Sequence, residues 1–242
     1  MAKSILITGA GARVGRVLAE GLAKDEWAVA IHYNRSQLAA DAMVQEIRDQ
    51  GGKAVAVQAN LNVPAELESL VDRSASALDL PLTALINNAS TFAPDEADAF
   101  SNAQYDHHMD VNLRAPLRLS QHFAAQLQTD GEGVIINMLD QRVLDPSPDY
   151  FTYSISKSAL FAATKTMAQA FAPRIRVCGV GPGPTLQNVH QTGDNFNEEV
   201  SRTLLGKGSP PETILHAVQY LLSARAVTGQ MIAVDGGEHL IF

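Results

Sequence analysis

The 242-residue sequence contains little cysteine, few aromatic residues and no excess of positive charge. Its single cysteine, Cys178, cannot form a disulfide within the chain, which is typical of a reducing compartment. The 26 acidic residues outnumber the 18 lysines and arginines, for a net charge of −8, so we do not expect a nucleic-acid partner. The remaining composition, 46% hydrophobic and 18% charged, is that of a folded globular chain.

Long apolar runs are missing as well. The first run, Ile5-Leu6-Ile7, is too short for a signal peptide, and Lys165 and Gln169 interrupt the nearest candidate for a membrane helix, 159–172. The adjacent His107 and His108 cannot share a helix face, so they do not predict a metal site. The sequence therefore predicts a cytoplasmic chain with no membrane partner and no metal.

Short β-branched runs alternate with longer amphipathic stretches. Runs such as Val134-Ile135-Ile136 are apolar on both faces, which favours a parallel sheet covered by helices on both sides. Repeated strand–helix units predict one α/β domain over 1–242, a Rossmann-type doubly wound parallel sheet of about seven strands. The predicted strands are 4–8, 28–32, 54–58, 84–87, 133–138, 174–180 and 230–234, and the predicted helices are 13–24, 37–50, 64–77, 104–127, 153–172 and 211–223.

Two stretches interrupt this alternation. Residues 89–101 form a predicted loop after the fourth strand, and residues 181–208, rich in Gly, Asn and Thr, follow the sixth. Doubly wound sheets bind ligands beyond the carboxyl ends of their strands, where both stretches lie. A loop as long as the second is usually a lid or a disordered segment, and we interpret 181–208 as a substrate lid.

A glycine-rich turn, Thr8-Gly9-Ala10-Gly11-Ala12-Arg13-Val14-Gly15, follows the first strand. Glycine allows a tight turn and a close approach of the backbone to phosphate, and the next helix offers its N-terminal amides. This position between a strand and an amphipathic helix predicts dinucleotide binding. Arg13 lies inside the turn, where its guanidinium can pair with a pyrophosphate.

The end of the second strand predicts which dinucleotide binds. A site for NADH places an acidic residue here to bind the ribose 2′-hydroxyl, but His32-Tyr33-Asn34-Arg35-Ser36 contains none. Arg35 lies 20 residues after Gly15, where a guanidinium can meet a 2′-phosphate, and Ser36 and His32 offer further donors. The sequence therefore favours NADPH over NADH.

A tyrosine and a lysine four residues apart, Tyr153 and Lys157, begin the long helix over 153–172. This spacing puts both side chains on one helix face. A lysine ammonium beside a phenol favours the phenolate, so we expect Lys157 to lower the pKa of Tyr153 toward neutrality. Tyr153 is then a candidate proton donor in a hydride transfer.

Together these features resemble the short-chain dehydrogenase/reductase family over the whole chain. The resemblance implies a catalytic role for Asn112, Tyr153 and Lys157. Lys157 is expected to hold the nicotinamide ribose, and Asn112 a water molecule that links Lys157 to solvent. A homotetramer joined through the helices 104–127 and 153–172 is implied as well. Further matching segments are Asn87-Asn88-Ala89, Pro182-Gly183 and Asp235-Gly236-Gly237.

Two departures from the family pattern are more specific. Asp140 stands thirteen residues before Tyr153, where the family carries a catalytic serine, and Arg13 replaces the middle glycine of the turn. An ionised aspartate repels a substrate carbonyl oxygen, but a carboxyl group suits proton delivery to a ring nitrogen or pairing with a cationic heterocycle. With the segments 87–92 and 137–140, these replacements resemble the pteridine reductase branch, including dihydromonapterin reductases. The resemblance implies a pterin stacked between Phe92 and the nicotinamide.

The predicted site residues fall into three groups. The catalytic group is Asp140, Tyr153, Lys157 and Asn112. The cofactor group is Gly9, Arg13, Val14, Gly15, His32, Tyr33, Asn34, Arg35, Ser36, Asn60, Leu61, Asn88, Ala89, Ser90, Tyr153, Lys157, Pro182 and Gly183. The substrate group is Arg13, Ser90, Phe92, Asp140, Tyr150, Tyr153 and Pro184. Asn60 replaces an aspartate that the family uses near the adenine ring, so its amide keeps an acceptor but loses the charge.

The resulting expectation is NADPH-dependent reduction of a dihydropterin to its tetrahydro form. Hydride is expected at C6 and a proton at N5, from Asp140 or Tyr153. Dihydromonapterin, dihydrobiopterin and dihydrofolate are the expected substrates, and a pterin or folate is the expected small-molecule partner. One alternative is a carbonyl or 3-oxoacyl-thioester reductase. The other is a catalytically silent NADPH-binding regulator, and the intact Tyr153, Lys157 and Asn112 argue against this second alternative.

Overall fold

The computed structural model describes residues 3–128, 130–187 and 192–241. Their strands are β1 (Ser4–Ile7), β2 (Ala28–Tyr33), β3 (Ala54–Gln58), β4 (Ala84–Asn87), β5 (Gly133–Met138), β6 (Ile175–Pro182) and β7 (Met231–Val234). All neighbours pair in parallel, in the order β3-β2-β1-β4-β5-β6-β7. The strand order reverses between β1 and β4, where a doubly wound sheet opens a crevice for a ligand. The predicted fold class and all seven predicted strands are confirmed, with strand ends within two residues.

Helices cover both faces of the sheet. They are α1 (Arg13–Lys24), α2 (Gln37–Asp49), α3 (Pro64–Leu78), α4 (Asn102–Met109), α5 (Ala115–Gln126), α6 (Phe151–Phe171), α7 (Gly193–Arg202) and α8 (Pro211–Ser223). One core cluster lies under α1, α2 and α8, and a second lies under α3, α5 and α6. Successive residues of β1 alternate between the two clusters, which is why its residues are apolar on both faces. Over the described ranges, none of the helices combines the length and apolar character needed to cross a bilayer.

The single helix predicted over 104–127 is divided in the structure. A π-helical turn, Asp110–Arg114, separates α4 from α5. Pro116 has no N–H to donate to the carbonyl of Asn112, so the regular α-helical ladder cannot continue through this point. The turn is a local widening of the helix, a feature that often marks functional sites.

The segment 181–208 is not an uninterrupted loop. β6 continues to Pro182, and α7 occupies Gly193–Arg202, with the Thr192 side chain accepting a hydrogen bond from the backbone N–H of Asn195. The prediction of a loop throughout was wrong because the glycine and asparagines of α7 are poor helix formers, whereas a threonine N-cap favours a helix start. Residues 188–191 of the predicted lid lie outside the described residues, and its action as a lid stays a prediction.

Leu70 of α3 and Leu38 of α2 give a matched test of the core. Leu70 is fully buried in the second cluster, whereas Leu38 is 88% exposed. We expect Leu70→Ala to lower the free energy of unfolding by about 2–5 kcal/mol, because it leaves a cavity. Leu38→Ala should change it by less than about 0.5 kcal/mol. Urea denaturation measures both, and equal losses would contradict this assignment of the core.

Candidate active site

A cavity of about 860 Å³ opens at the carboxyl ends of the strands. This volume suits a cofactor site and lies where the sheet topology predicts one. The cavity brings together every residue of the predicted cofactor and substrate groups, together with Asp140, Tyr153 and Lys157 of the catalytic group. Asn112 is fully buried behind the wall. Within the described ranges, no three His, Cys, Asp or Glu side chains are grouped so as to hold a metal ion.

The glycine turn has the geometry of a phosphate cradle. Gly9 has φ +63°, in the left-handed region that favours glycine, and a Cβ there would lie 2.9 Å from the Cα of Ala89. A Cβ on Gly15 would lie 2.4 Å from the Gly9 carbonyl oxygen. α1 begins without a side-chain cap at Ala12 and has no acidic residue in its first turn. Its N-terminal amides and dipole therefore fit the pyrophosphate of a dinucleotide.

Arg13 connects this turn to the segment after β6. Its guanidinium donates to the carbonyl oxygens of Leu186 and Gln187, each at 3.0 Å, and the residue has φ +54°. Arg13 also lines the cavity. The structure thus gives Arg13 a contact that the sequence did not predict, and its predicted pairing with phosphate and substrate stays a prediction.

His32 supports the glycine turn from beneath. Its Nδ1 accepts a hydrogen bond from the Gly9 backbone N–H at 3.0 Å, so Nε2 carries the proton and donates to the Ala59 carbonyl oxygen at 3.0 Å. Burial lowers the pKa of His32 to about 4, which keeps the ring neutral. Because both nitrogens are occupied, the prediction that His32 donates to a 2′-phosphate was wrong. Arg35 and Ser36 lie exposed at the cavity rim and remain available for that group.

The catalytic end of the cavity is built on β5 and α6. The Tyr153 hydroxyl donates to Oδ2 of Asp140 at 2.7 Å, and Oδ1 of Asp140 accepts from the Arg142 backbone N–H at 2.9 Å. Nζ of Lys157 donates to the Met138 carbonyl oxygen at 2.8 Å. Tyr153 and Lys157 are buried, so both catalytic side chains are held by specific partners away from bulk water.

The charge balance at Tyr153 differs from the sequence expectation. Burial raises the pKa of Tyr153 well above its usual value, and the charge and hydrogen bond of Asp140 raise it further, against an opposing effect of Arg142. Lys157 lies farther off, with Nζ 5.7 Å from the centre of the Tyr153 ring. Burial lowers the pKa of Lys157 to about 8, although Asp140 opposes this. The expected lowering of the Tyr153 pKa was therefore wrong: the phenol keeps its proton and serves as a donor.

Aromatic rings form the wall beside Asp140. The rings of Phe92 and Tyr150 stack with centroids 4.1 Å apart, and Tyr153 meets Phe92 edge-on at 4.7 Å. Cζ of Arg142 lies 5.8 Å from the centre of the Phe92 ring and 5.5 Å from that of Tyr150. Such a wall suits a flat heterocycle. Sequence reasoning missed Arg142, for which the only available signal was its position two residues after Asp140.

Asn112 organises the loop that carries Phe92. Its side-chain oxygen accepts hydrogen bonds from the Ser90 hydroxyl at 3.1 Å and the Thr91 backbone N–H at 2.8 Å. Its amide nitrogen donates to the Thr91 carbonyl at 3.0 Å and to the Ser156 hydroxyl at 3.1 Å. These bonds occupy the side-chain amide of Asn112, which fastens the loop to α6. The predicted role of Asn112 in holding a water molecule stays a prediction.

A dinucleotide cradle and a proton-holding tyrosine in one cavity define a nicotinamide-dependent oxidoreductase. Residues 3–197 match the family model described as short chain dehydrogenase. The chain belongs to the short-chain dehydrogenase family, as its sequence resemblance predicts. The predicted nicotinamide cofactor is confirmed by this membership and fits the residues that form the cradle.

Comparisons with known proteins agree on the family. The crystal structure of FolM alternative dihydrofolate reductase 1 from Brucella suis, in complex with NADP, is 39% identical with a TM-score of 0.97, covering 100% of this chain and 98% of that one. An uncharacterized oxidoreductase of Methylorubrum extorquens is 33% identical over 97% of each chain. The 3-oxoacyl-[acyl-carrier-protein] reductase FabG of Staphylococcus aureus is 29% identical over 99% of each. The first match confirms the resemblance to the pteridine reductase branch, while the sequence relatives leave the substrate open.

Proposed function

We propose that the protein is an NADPH-dependent reductase of a dihydropterin, which it converts to the tetrahydropterin. The observation that carries this proposal is the hydrogen bond from the Tyr153 hydroxyl to the Asp140 carboxylate, 2.7 Å long, beside the Phe92 ring. This pair combines a proton donor with a hydrogen-bond acceptor, as a nitrogen heterocycle requires. The similarity to a FolM alternative dihydrofolate reductase supports the same substrate class.

The residues of the glycine turn and the β2 end hold the cofactor. The first-turn amides of α1 and Arg13 would hold its pyrophosphate, and Arg35 and Ser36 would bind its 2′-phosphate. Lys157 would hold the nicotinamide ribose. When bound, NADPH supplies a hydride for C6 of the pterin.

The remaining residues orient the pterin and supply its proton. Phe92 lines the cavity, and its ring, stacked on Tyr150, would contact the pterin. Asp140 accepts a hydrogen bond from the pterin, and the Tyr153 hydroxyl holds the proton that N5 receives. Burial first and Asp140 next raise the pKa of Tyr153, so the phenol keeps its proton until the substrate takes it. The Tyr153–Asp140 pair is part-buried.

A second candidate activity is the reduction of a 3-oxoacyl thioester. The similarity to FabG favours it. Asp140 argues against it, because an ionised carboxylate repels the oxygen that develops negative charge when a ketone is reduced.

NADPH consumption with a substrate panel separates these activities. The panel contains dihydromonapterin, dihydrobiopterin, dihydrofolate, oxidised biopterin and an acetoacetyl thioester, each repeated with NADH. We expect turnover of dihydropterins with NADPH. Turnover of the thioester alone would contradict the proposal in favour of the second activity. NADPH binding without any turnover would support the silent regulator instead.

The preference for NADPH gives a further prediction. We expect Arg35→Ser to weaken NADPH binding about 10- to 100-fold, because a charge-assisted hydrogen bond to the 2′-phosphate is lost, and to leave NADH binding almost unchanged. Arg225→Ser is the matched control, since Arg225 is exposed and does not line the cavity. Calorimetric titration of each variant measures the affinities. Equal weakening of NADPH and NADH binding would rule out Arg35 as the phosphate contact.

We also make a proposal about the oligomeric state and the cellular compartment of the protein. We infer a homotetramer, joined through the α4–α5 region and α6, in a reducing compartment. Light scattering after size exclusion tests the tetramer, and a monomeric mass would contradict it.

A further inference from the structure

Charged side chains form the outer wall of the cavity, beyond Asp140. Arg142, Glu199 and Glu238 all line the same cavity as the catalytic pair. Glu199 is on α7, and Glu238 begins a single 3₁₀ turn after β7. The cavity therefore contains a group of charged side chains that has no part in the proposed catalytic step.

The turn that contains Glu238, residues 235–240, holds its side chain at the wall of the cavity. The Asp235 carboxylate accepts hydrogen bonds from the backbone N–H groups of Gly237 and His239, both at 3.0 Å, which stabilises the turn. Gly183 directly follows the last residue of β6. A Cβ on Gly183 would lie 2.8 Å from Oε2 of Glu238, so the Glu238 carboxylate lies against the backbone at the end of this strand. Glycine at 183 leaves the space that the carboxylate occupies.

Acidic side chains line this end of the cavity together with Arg142. They are Asp140, Glu199 and Glu238, and each carboxylate is near enough to the Arg142 guanidinium to interact with its charge. Burial works to lower the pKa of Arg142, but Asp140, Tyr153 and both glutamates raise it above its usual value. Burial, followed by Glu199, raises the pKa of Glu238 to about 7, against the opposing charge of Arg142. The Arg142 guanidinium is paired with Asp140, whose Oδ1 lies 3.6 Å from Nη1 of Arg142.

We propose that Glu199 and Glu238 select the side chain of the pterin, accepting hydrogen bonds from a neutral hydroxylated substituent and repelling a negatively charged one. This inference rests on the proposed function and names the substrate more narrowly. A dihydropterin with a short polyhydroxylated chain offers hydroxyl donors to both carboxylates. Dihydrofolate instead brings the carboxylates of its glutamate toward them, and like charges in a part-buried cavity repel strongly.

Substitution by glutamine tests this selection at nearly constant shape. We measure kcat/KM for dihydromonapterin and for dihydrofolate in the unchanged protein, in Glu199→Gln, in Glu238→Gln and in the double variant. We expect the double variant to raise kcat/KM for dihydrofolate about tenfold or more and to lower it for dihydromonapterin about threefold. Glu198→Gln is the matched control, because Glu198 neighbours Glu199 on α7 but has a 61% exposed side chain paired with Arg202.

The possible outcomes separate this inference from the proposed function. A substrate ratio that the double variant changes by less than about twofold, with both dihydropterins still reduced, would overturn the inference alone. The same ratio change in Glu198→Gln would also overturn it, since the effect would not belong to the cavity. Failure of the unchanged protein to reduce either compound would overturn the proposed function, and the inference with it. Thermal unfolding of each variant identifies any loss that comes from misfolding.

The pH dependence of the substrate ratio provides a second readout. Glu238 faces Glu199, Asp140 and Asp235 as like charges and Arg142 as the opposite one, and its pKa is about 7. Below this pH the carboxyl group is neutral while the glutamate tail of dihydrofolate remains ionised. We expect the kcat/KM of dihydrofolate relative to dihydromonapterin to rise as pH falls from about 8 to about 6, and to rise less in Glu238→Gln. An identical pH profile in both proteins would exclude Glu238 from the selection.

Discussion

Asp140→Ala is expected to lower kcat for dihydropterin reduction about 100- to 1000-fold, while the Kd for NADPH changes by less than about threefold. The substitution removes the acceptor of the Tyr153 hydroxyl, 2.7 Å away, and the carboxylate that the pterin meets. It changes no residue of the glycine turn or of the β2 end, where the phosphates of NADPH are proposed to bind. Steady-state kinetics and calorimetric titration measure the two effects separately.

Two variants control this result. Asp140→Asn keeps an oxygen acceptor for Tyr153 but removes the charge, so an intermediate loss would separate the hydrogen bond from the charge. Asp145→Ala changes an exposed aspartate in the same loop and should leave kcat unchanged. Unchanged turnover in Asp140→Ala would remove Asp140 from the mechanism.

Gly15→Ala is expected to raise the Kd for NADPH at least about tenfold and to lower Tm by about 5 °C. The added Cβ would lie 2.4 Å from the Gly9 carbonyl oxygen and 2.8 Å from the Cα of Ala10, so the backbone of the phosphate cradle must move. The amides that face the pyrophosphate then lose their alignment.

Gly193→Ala is the matched control for this substitution. A Cβ on Gly193 meets nothing within 4 Å, and the residue begins α7. We expect little change in either Tm or NADPH affinity. An unaltered Kd in Gly15→Ala would show that the turn does not hold the dinucleotide.

Most of the sheet was predictable because its strands are short, apolar on both faces and separated by amphipathic helices. The period of these patterns determines both the element type and the burial of each face. The catalytic motif was also predictable, since four-residue spacing on a helix fixes the proximity of Tyr153 and Lys157 whatever the tertiary structure.

The errors concern interactions between distant segments. The sequence predicts His32 as a phosphate donor because it does not reveal that Gly9 and Ala59 bind both of its ring nitrogens. The sequence predicts that Lys157, four residues away, determines the pKa shift of Tyr153. In the structure burial has the largest effect on this pKa, followed by Asp140, thirteen residues before Tyr153. Glu199 and Glu238 were missed because α7 and the chain end meet only in the folded protein.

One measurement tests whether Asp140 and Tyr153 serve a dihydropterin rather than a ketone. It is the ratio of kcat/KM for dihydromonapterin to kcat/KM for an acetoacetyl thioester, measured with NADPH on the intact protein. We expect a ratio above about 100, because Asp140 favours the nitrogen heterocycle and disfavours the carbonyl oxygen. A ratio below about 1 would contradict it and assign the protein to carbonyl reduction.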